Sequence, residues 1–148
     1  MKTLLTLFVL FFSSFVIADE ELVGKQLICE RNTERSVSLR GIEFIDEENY
    51  ILVYGSYQVN SKVSLNSDKH TYDPLLKEII FYTSNQDVAR FAVYRDSLKL
   101  SYFTNTDSQF SCSIVDLNSK KGIVNIIEQV LNSEVSIIEK SFKEKNKI

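Results

Sequence analysis

The chain contains no tryptophan, one histidine, one methionine, one proline, two cysteines and only four glycines. These scarcities thin out the usual vocabulary of catalysis and ligand chemistry. A structural zinc site takes about four ligands of the Cys/His/carboxylate kind, which two cysteines and one histidine do not suggest. A nucleophilic cysteine needs a basic partner, and the lone histidine, His70, stands in a polar stretch with no nucleophile-elbow serine. Basic excess is missing too: the net charge is −3 and the pI about 5.2, which argues against a nucleic-acid partner. What is present is ordinary for a globular chain of 148 residues, 44% of them apolar and 25% charged, enough for one domain. No repeat, low-complexity segment or interdomain linker interrupts it.

The one long apolar run is at the start. Met1-Lys2 precedes a run containing Leu4, Leu5, Leu7, Phe8, Val9, Leu10, Phe11 and Phe12, and Val16-Ile17-Ala18 comes before Asp19-Glu20-Glu21. This is the layout of a cleaved signal peptide over residues 1–18, too short for a bilayer span of about 20 apolar residues. Cys29 follows bulky Ile28 well downstream, which excludes a lipoprotein cleavage site. The reading predicts a periplasmic or secreted protein with no stable membrane insertion after cleavage. No Asn-x-Ser/Thr sequon occurs, which favours a bacterial envelope. In an oxidising compartment two cysteines usually pair. A Cys29–Cys112 bridge would close a loop of about 84 residues, stabilising by roughly 4.5 kcal/mol in the chain-entropy model.

From residue 22 onward, short β-rich runs alternate with polar turn clusters. Runs at 22–31, 36–45, 50–59, 62–65, 75–83, 88–94, 98–102 and 110–115 predict about eight antiparallel strands. In the second, Val37 and Leu39 share one parity, and Ile42 and Phe44 the other. Gly41 at that phase change suggests a bulge or sharp coil. The third carries bulk on both faces, as expected of a strand covered on two sides. Residues 66–74 are the longest polar stretch, hold the only proline and read as a loop. After Asp116 the period changes: Ile123, Ile126, Ile127, Val130, Ile137, Ile138 and Phe142 fall on helical spacing. Asp116, Asn118 or Ser119 is the expected N-cap, and the lysine-rich end is expected to fray. Since many of these residues are β-branched, the helix needs something to dock on.

The predicted fold is mainly β: an antiparallel meander of about eight strands curled into a barrel over residues 19–116, with a C-terminal helix and basic tail over 117–148. Curling removes the edge strands and brings the cysteine-bearing first and last strands together. In layout, with Gly24 opening the first strand and a helix after the last, the chain resembles lipocalin-like (calycin) proteins, although Gly24-Lys25-Gln26 lacks their tryptophan. It also resembles uncharacterised small exported β proteins of AT-rich marine alphaproteobacteria. They share a cysteine in the first strand, the Gly41-Ile-Glu-Phe44 step, the Arg95-Asp-Ser-Leu-Lys-Leu100 step and a late cysteine. That resemblance implies no activity. Periplasmic lysozyme inhibitors likewise link first and last strands by a disulfide, but their Ser-Gly loop has no counterpart here.

The candidate residues each carry two readings. His70, beside Tyr72 and Asp73, suits acid–base chemistry or a solvated loop. Asp46, Glu47 and Glu48 suit calcium or, lacking EF-hand spacing, a solvated turn. Arg95-Asp96 suits a ligand anchor or hairpin chemistry. Among the aromatics Tyr50, Tyr54, Tyr57, Phe81, Phe91 and Tyr102, the expected pocket lining is Tyr54, Tyr57 and Phe91. No constellation assembles an enzyme, and no cofactor, metal or catalytic residue is implied. The expected partner is a small apolar or amphipathic ligand, or alternatively another protein of the envelope.

Overall fold

The computed structural model describes residues 22–82, 88–115 and 121–146; the predicted signal peptide lies outside them. Eight antiparallel strands close into a barrel in simple meander order. They are β1 (Gln26–Asn32), β2 (Ser36–Phe44), β3 (Asn49–Gln58), β4 (Ser64–Pro74), β5 (Glu78–Tyr82), β6 (Ala89–Tyr94), β7 (Lys99–Tyr102) and β8 (Gln109–Ile114). A single helix, α1 (Ile123–Lys145), follows. β1 and β8 pair antiparallel from Leu27↔Ile114 to Glu30↔Ser111, which closes the wall. Cys29 lies directly opposite Cys112 on that seam, and the two form a disulfide.

Period-two alternation sorts the side chains into two cores. The inner one fills the middle of the barrel with Phe44, Tyr50, Tyr72, Phe81 and Phe91, joined by Leu27, Cys29, Ile42, Leu52, Val93, Leu100 and Phe110. Phe81 stacks on Phe91 at 4.7 Å between ring centroids, and Tyr50 meets Phe81 edge-on at 4.8 Å. The outer core lies under the helix, where Val37, Leu39, Val53 and Tyr57 of β2 and β3 meet Ile123, Ile127, Leu131 and Ile138. The strand with bulk on both faces therefore has barrel interior on one side and helix on the other.

Three expectations change. The polar stretch 66–74 is strand, not loop: β4 pairs with β3 over eight positions, from Asn49↔Thr71 to Ser56↔Ser64. β4 pairs with β5 only at Tyr72, Asp73 and Pro74. Its polar side chains can therefore stay largely solvated while the backbone is satisfied by β3. Gly41 marks no bulge, since its register runs unbroken on both sides. It is where the helix touches the sheet: a Cβ there would lie 2.5 Å from Ile127 Cγ1 and 2.7 Å from Ile123 Cγ1. The helix is capped at Gly122, with no side-chain cap, while the expected caps Asp116, Asn118 and Ser119 lie outside the described residues.

The helical stripe differs from expectation in two residues: Ile137 is exposed, and Leu131, outside the expected stripe, is buried. The lysine-rich end continues the helix to Lys145. Lys143 and Lys145 face the negative end of the helix dipole, and the backbone and side-chain amides of Asn146 both donate to the Phe142 carbonyl. Arg35 lies over the Phe142 ring, at 5.4 Å, and Tyr57 Oη donates to Glu139 at 3.0 Å. At the other end of the helix, Gln26 Nε2 donates to the Lys121 carbonyl and to Glu43. Docking thus compensates for weak intrinsic propensity. No helix among the described residues is long and apolar enough to cross a membrane, which says nothing of strands.

Candidate functional site

The filled aromatic middle divides the barrel interior into two ends of different chemistry. Towards one end stands Arg40, an arginine at an inward position of β2. Its guanidinium carbon lies 4.6 Å from the Tyr54 ring centroid and 4.9 Å from that of Phe110. Arg40 Nε donates to Tyr102 Oη at 2.8 Å and Nη1 to the Leu39 carbonyl. A register shift between β5 and β6 pairs Phe81 with Phe91 but Tyr82 with Ala89. Arg90 is the extra residue this leaves, and its guanidinium also lies over Tyr54, at 5.5 Å. Stacked cations and rings occupy this end.

Burial holds the Tyr50 hydroxyl far above its ordinary value of 10.0, reinforced by neighbouring Tyr54. Tyr54 is raised for the same first reason, burial, and next by Tyr102. Below about pH 10 both folded and unfolded chains hold the proton, whereas above it only the unfolded chain releases it, so stability falls as pH rises. In an alkaline titration followed by phenolate absorbance, Tyr50 is expected to ionise only together with unfolding. Its early ionisation, in step with exposed tyrosines, would contradict this packing.

The opposite end holds a half-enclosed cavity of about 150 Å³ lined by Leu22, Lys25, Leu27, Phe44, Ile79, Val93, Arg95, Leu98 and Ile114. The chain entry, the β6–β7 hairpin and the neighbouring strand ends build it. Gly24, at φ 81°, turns the incoming segment, and its N–H donates to the Phe44 carbonyl at 2.8 Å. The β6–β7 hairpin contributes Arg95 and Leu98. Leu98 has φ 51°, the left-handed region where glycine or asparagine is usual, and its N–H donates to the Tyr94 carbonyl. Holding a leucine there costs on the order of 1–2 kcal/mol, and what its side chain does is wall the cavity.

In Arg95-Asp96 the two residues do different things. Asp96 Oδ1 accepts from the Ser97 N–H, which is hairpin chemistry. Arg95 lines the cavity, and its Nε is buried with no hydrogen-bond partner. The ion pair among the described residues is Lys145–Glu34, so no carboxylate there pairs with Arg95 or Lys25.

The expected lining residues are dispersed. Phe91 is packed into the aromatic middle between Phe81 and Tyr102. Tyr54 lies under the two arginines, its hydroxyl buried without a partner. Tyr57 is on the outer face, beneath the helix. The three do not share one wall. His70 and Asp73, three apart on β4, point to opposite faces: His70 lies 5.9 Å from the Tyr50 ring, and Asp73 accepts from Tyr82 Oη. Asp46 organises its own turn, accepting from the N–H groups of Glu48 and Asn49, which holds its carboxyl below the usual range. Among the described residues no group of three or more His, Cys, Asp or Glu is arranged to hold a metal.

Compared with protein-family models, curated proteins and solved structures, the chain matches none. The fold and the site define the class on their own: a closed eight-stranded barrel with one disulfide, one docked helix and an apolar end cavity.

Proposed function

We propose that this is an exported, non-enzymatic binding module for a small apolar or amphipathic ligand, with the end cavity as its site. The observation that carries the reading is the cavity: about 150 Å³, mostly walled by leucine, isoleucine, valine and phenylalanine, at one end of the barrel beyond its packed aromatic middle. A mostly apolar space of this size accommodates a molecule such as benzene. Val23, Ile45, Leu75 and Ile114 stand exposed on the same end, an apolar approach for such a ligand. The Cys29–Cys112 disulfide supports an oxidising compartment, and with the signal-like residues 1–18 it supports the periplasm. The lipocalin-like layout and the kinship with small exported β proteins belong to the same proposal.

One observation favours a second reading, a protein-interaction module such as a periplasmic inhibitor. Leu76, at the tip of the β4–β5 hairpin, is 75% exposed beside exposed Leu75.

Native mass spectrometry of the full-length gene product recovered from a bacterial periplasm tests the proposal. The expected result is the mass of residues 19–148 less two hydrogens, with a small adduct that leaves on denaturation. A clean apo chain that takes up no added toluene would overturn the binding reading. Replacing the strained wall residue, Leu98→Gly, separates binding from stability. Relief of backbone strain and loss of side-chain burial oppose each other, so stability is expected to change by less than about 1 kcal/mol. Adduct or toluene binding is expected to vanish. A Leu98→Gly variant that binds like the parent would place the ligand elsewhere.

A further inference from the structure

We infer that the cavity selects a monoanionic ligand, a small aromatic or short-chain carboxylate, whose acid group is held by Arg95 and Lys25. The inference rests on the binding reading above and adds the ligand's charge and size.

Arg95 carries the argument. Its Nε–H is buried and unpartnered in the wall of an apolar cavity. A permanently charged group with a donor left without an acceptor is costly to hold there, and a carboxylate in the cavity would offset the guanidinium's charge. The arginine's position is set by the fold: its backbone N–H donates to the Lys77 carbonyl across the neighbouring hairpin at 3.0 Å. Lys25 reaches the same cavity from the chain entry, fixed by its N–H donating to the Leu22 carbonyl and its carbonyl accepting from the Phe44 N–H. Two basic residues thus line one small space, and no described carboxylate forms an ion pair with either.

Size and surroundings narrow the ligand further. About 150 Å³ holds an apolar part of the size of a benzene ring. Asp46, Glu47 and Glu48 line an open groove with Val23 beside the chain entry. That acidic neighbour disfavours a polyanion or an anionic membrane surface, whose further charges would face it. What fits is an apolar group inside with one negative charge at the cations.

Calorimetric titration of the oxidised full chain with benzoate, benzamide and toluene, at low ionic strength, tests this. Benzoate is expected to bind about tenfold or more tightly than benzamide, the gain of a charge-assisted hydrogen bond over a neutral one. Arg95→Gln should lose that preference, while toluene binds the variant within about twofold of the parent. Arg95→Lys, which keeps the charge without the guanidinium's planar fork of donors, should recover only part of it. Toluene and benzamide binding as tightly as benzoate would overturn the anion inference and leave the apolar binding site standing. Failure of all three to bind the folded chain would overturn the binding reading itself. A benzoate preference unchanged in Arg95→Gln but lost in Lys25→Gln would overturn the role given to Arg95.

Discussion

Removing the disulfide by Cys29→Ala/Cys112→Ala is expected to lower stability by about 2–5 kcal/mol. The bridge closes a separation of 83 residues, so it constrains nearly the whole barrel in the unfolded chain, where the entropic term is largest. It also joins β1 to β8, the one pairing that no hairpin enforces. The folded variant should keep the same register, since Leu27–Glu30 still pair with β8 through backbone hydrogen bonds. Denaturant unfolding of the variant against the oxidised parent measures the loss. A difference under about 1 kcal/mol would mean that the seam is held by other means.

The second large effect is at Gly41. A methyl group there would sit 2.5 Å from Ile127 Cγ1, closer than any ordinary contact, and these are atoms near the helix backbone rather than flexible tips. Gly41→Ala is therefore expected to cost roughly 1–3 kcal/mol through overpacking and displacement of the helix. Ile127→Ala alone should cost about 2–5 kcal/mol by emptying the outer core. Combined, the two should cost less than their sum, because the space vacated at Ile127 receives the new methyl group. Additive costs would show that the helix does not rest on Gly41. Gly55 offers a control: its nearest neighbour, Ile127 Cγ2, would lie at 3.1 Å, so Gly55→Ala should be milder.

Most of the fold was legible because alternation and turn chemistry are local signals. β2, β3, β6 and β7 alternate over apolar residues, and the switch to helical spacing after Asp116 is abrupt. β4 was not legible. Its pairing energy comes from backbone bonds to β3, while its side chains, Asn66-Ser-Asp-Lys-His70, are those of a loop. Gly41 announced something special but not what: a bulge and a helix contact both ask for a missing side chain. The aromatics showed the inner core and misdirected the site, because a tyrosine packs equally well inside a barrel, beneath a helix or under an arginine. Tyr57 differs from Tyr54 only by strand parity, and both parities of β3 are buried.

The cavity itself was barely written in the sequence. Arg95 was visible as a choice between anchor and hairpin, and Asp96 and Ser97 explained the hairpin well enough to hide it. Leu98 gave no signal, since a left-handed turn position is normally read from glycine or asparagine. Arg40 had one: it shares its parity with Ile42 and Phe44, and a charged residue at an inward position demands a stacking or pairing partner. Its partners, Tyr54, Tyr102 and Phe110, come from three other strands that only closure brings together.

The central claim is that a ligand enters the end cavity and not the filled middle or the arginine end. Backbone amide shifts recorded while toluene is titrated into the uniformly labelled, oxidised protein test it most directly. The account predicts saturable shifts at Leu22–Leu27, Ile79, Val93–Leu98 and Ile114, with Arg40, Tyr54 and Tyr102 unmoved. Shifts centred on Tyr54 and Arg40, or on the helix and Tyr57, would contradict it.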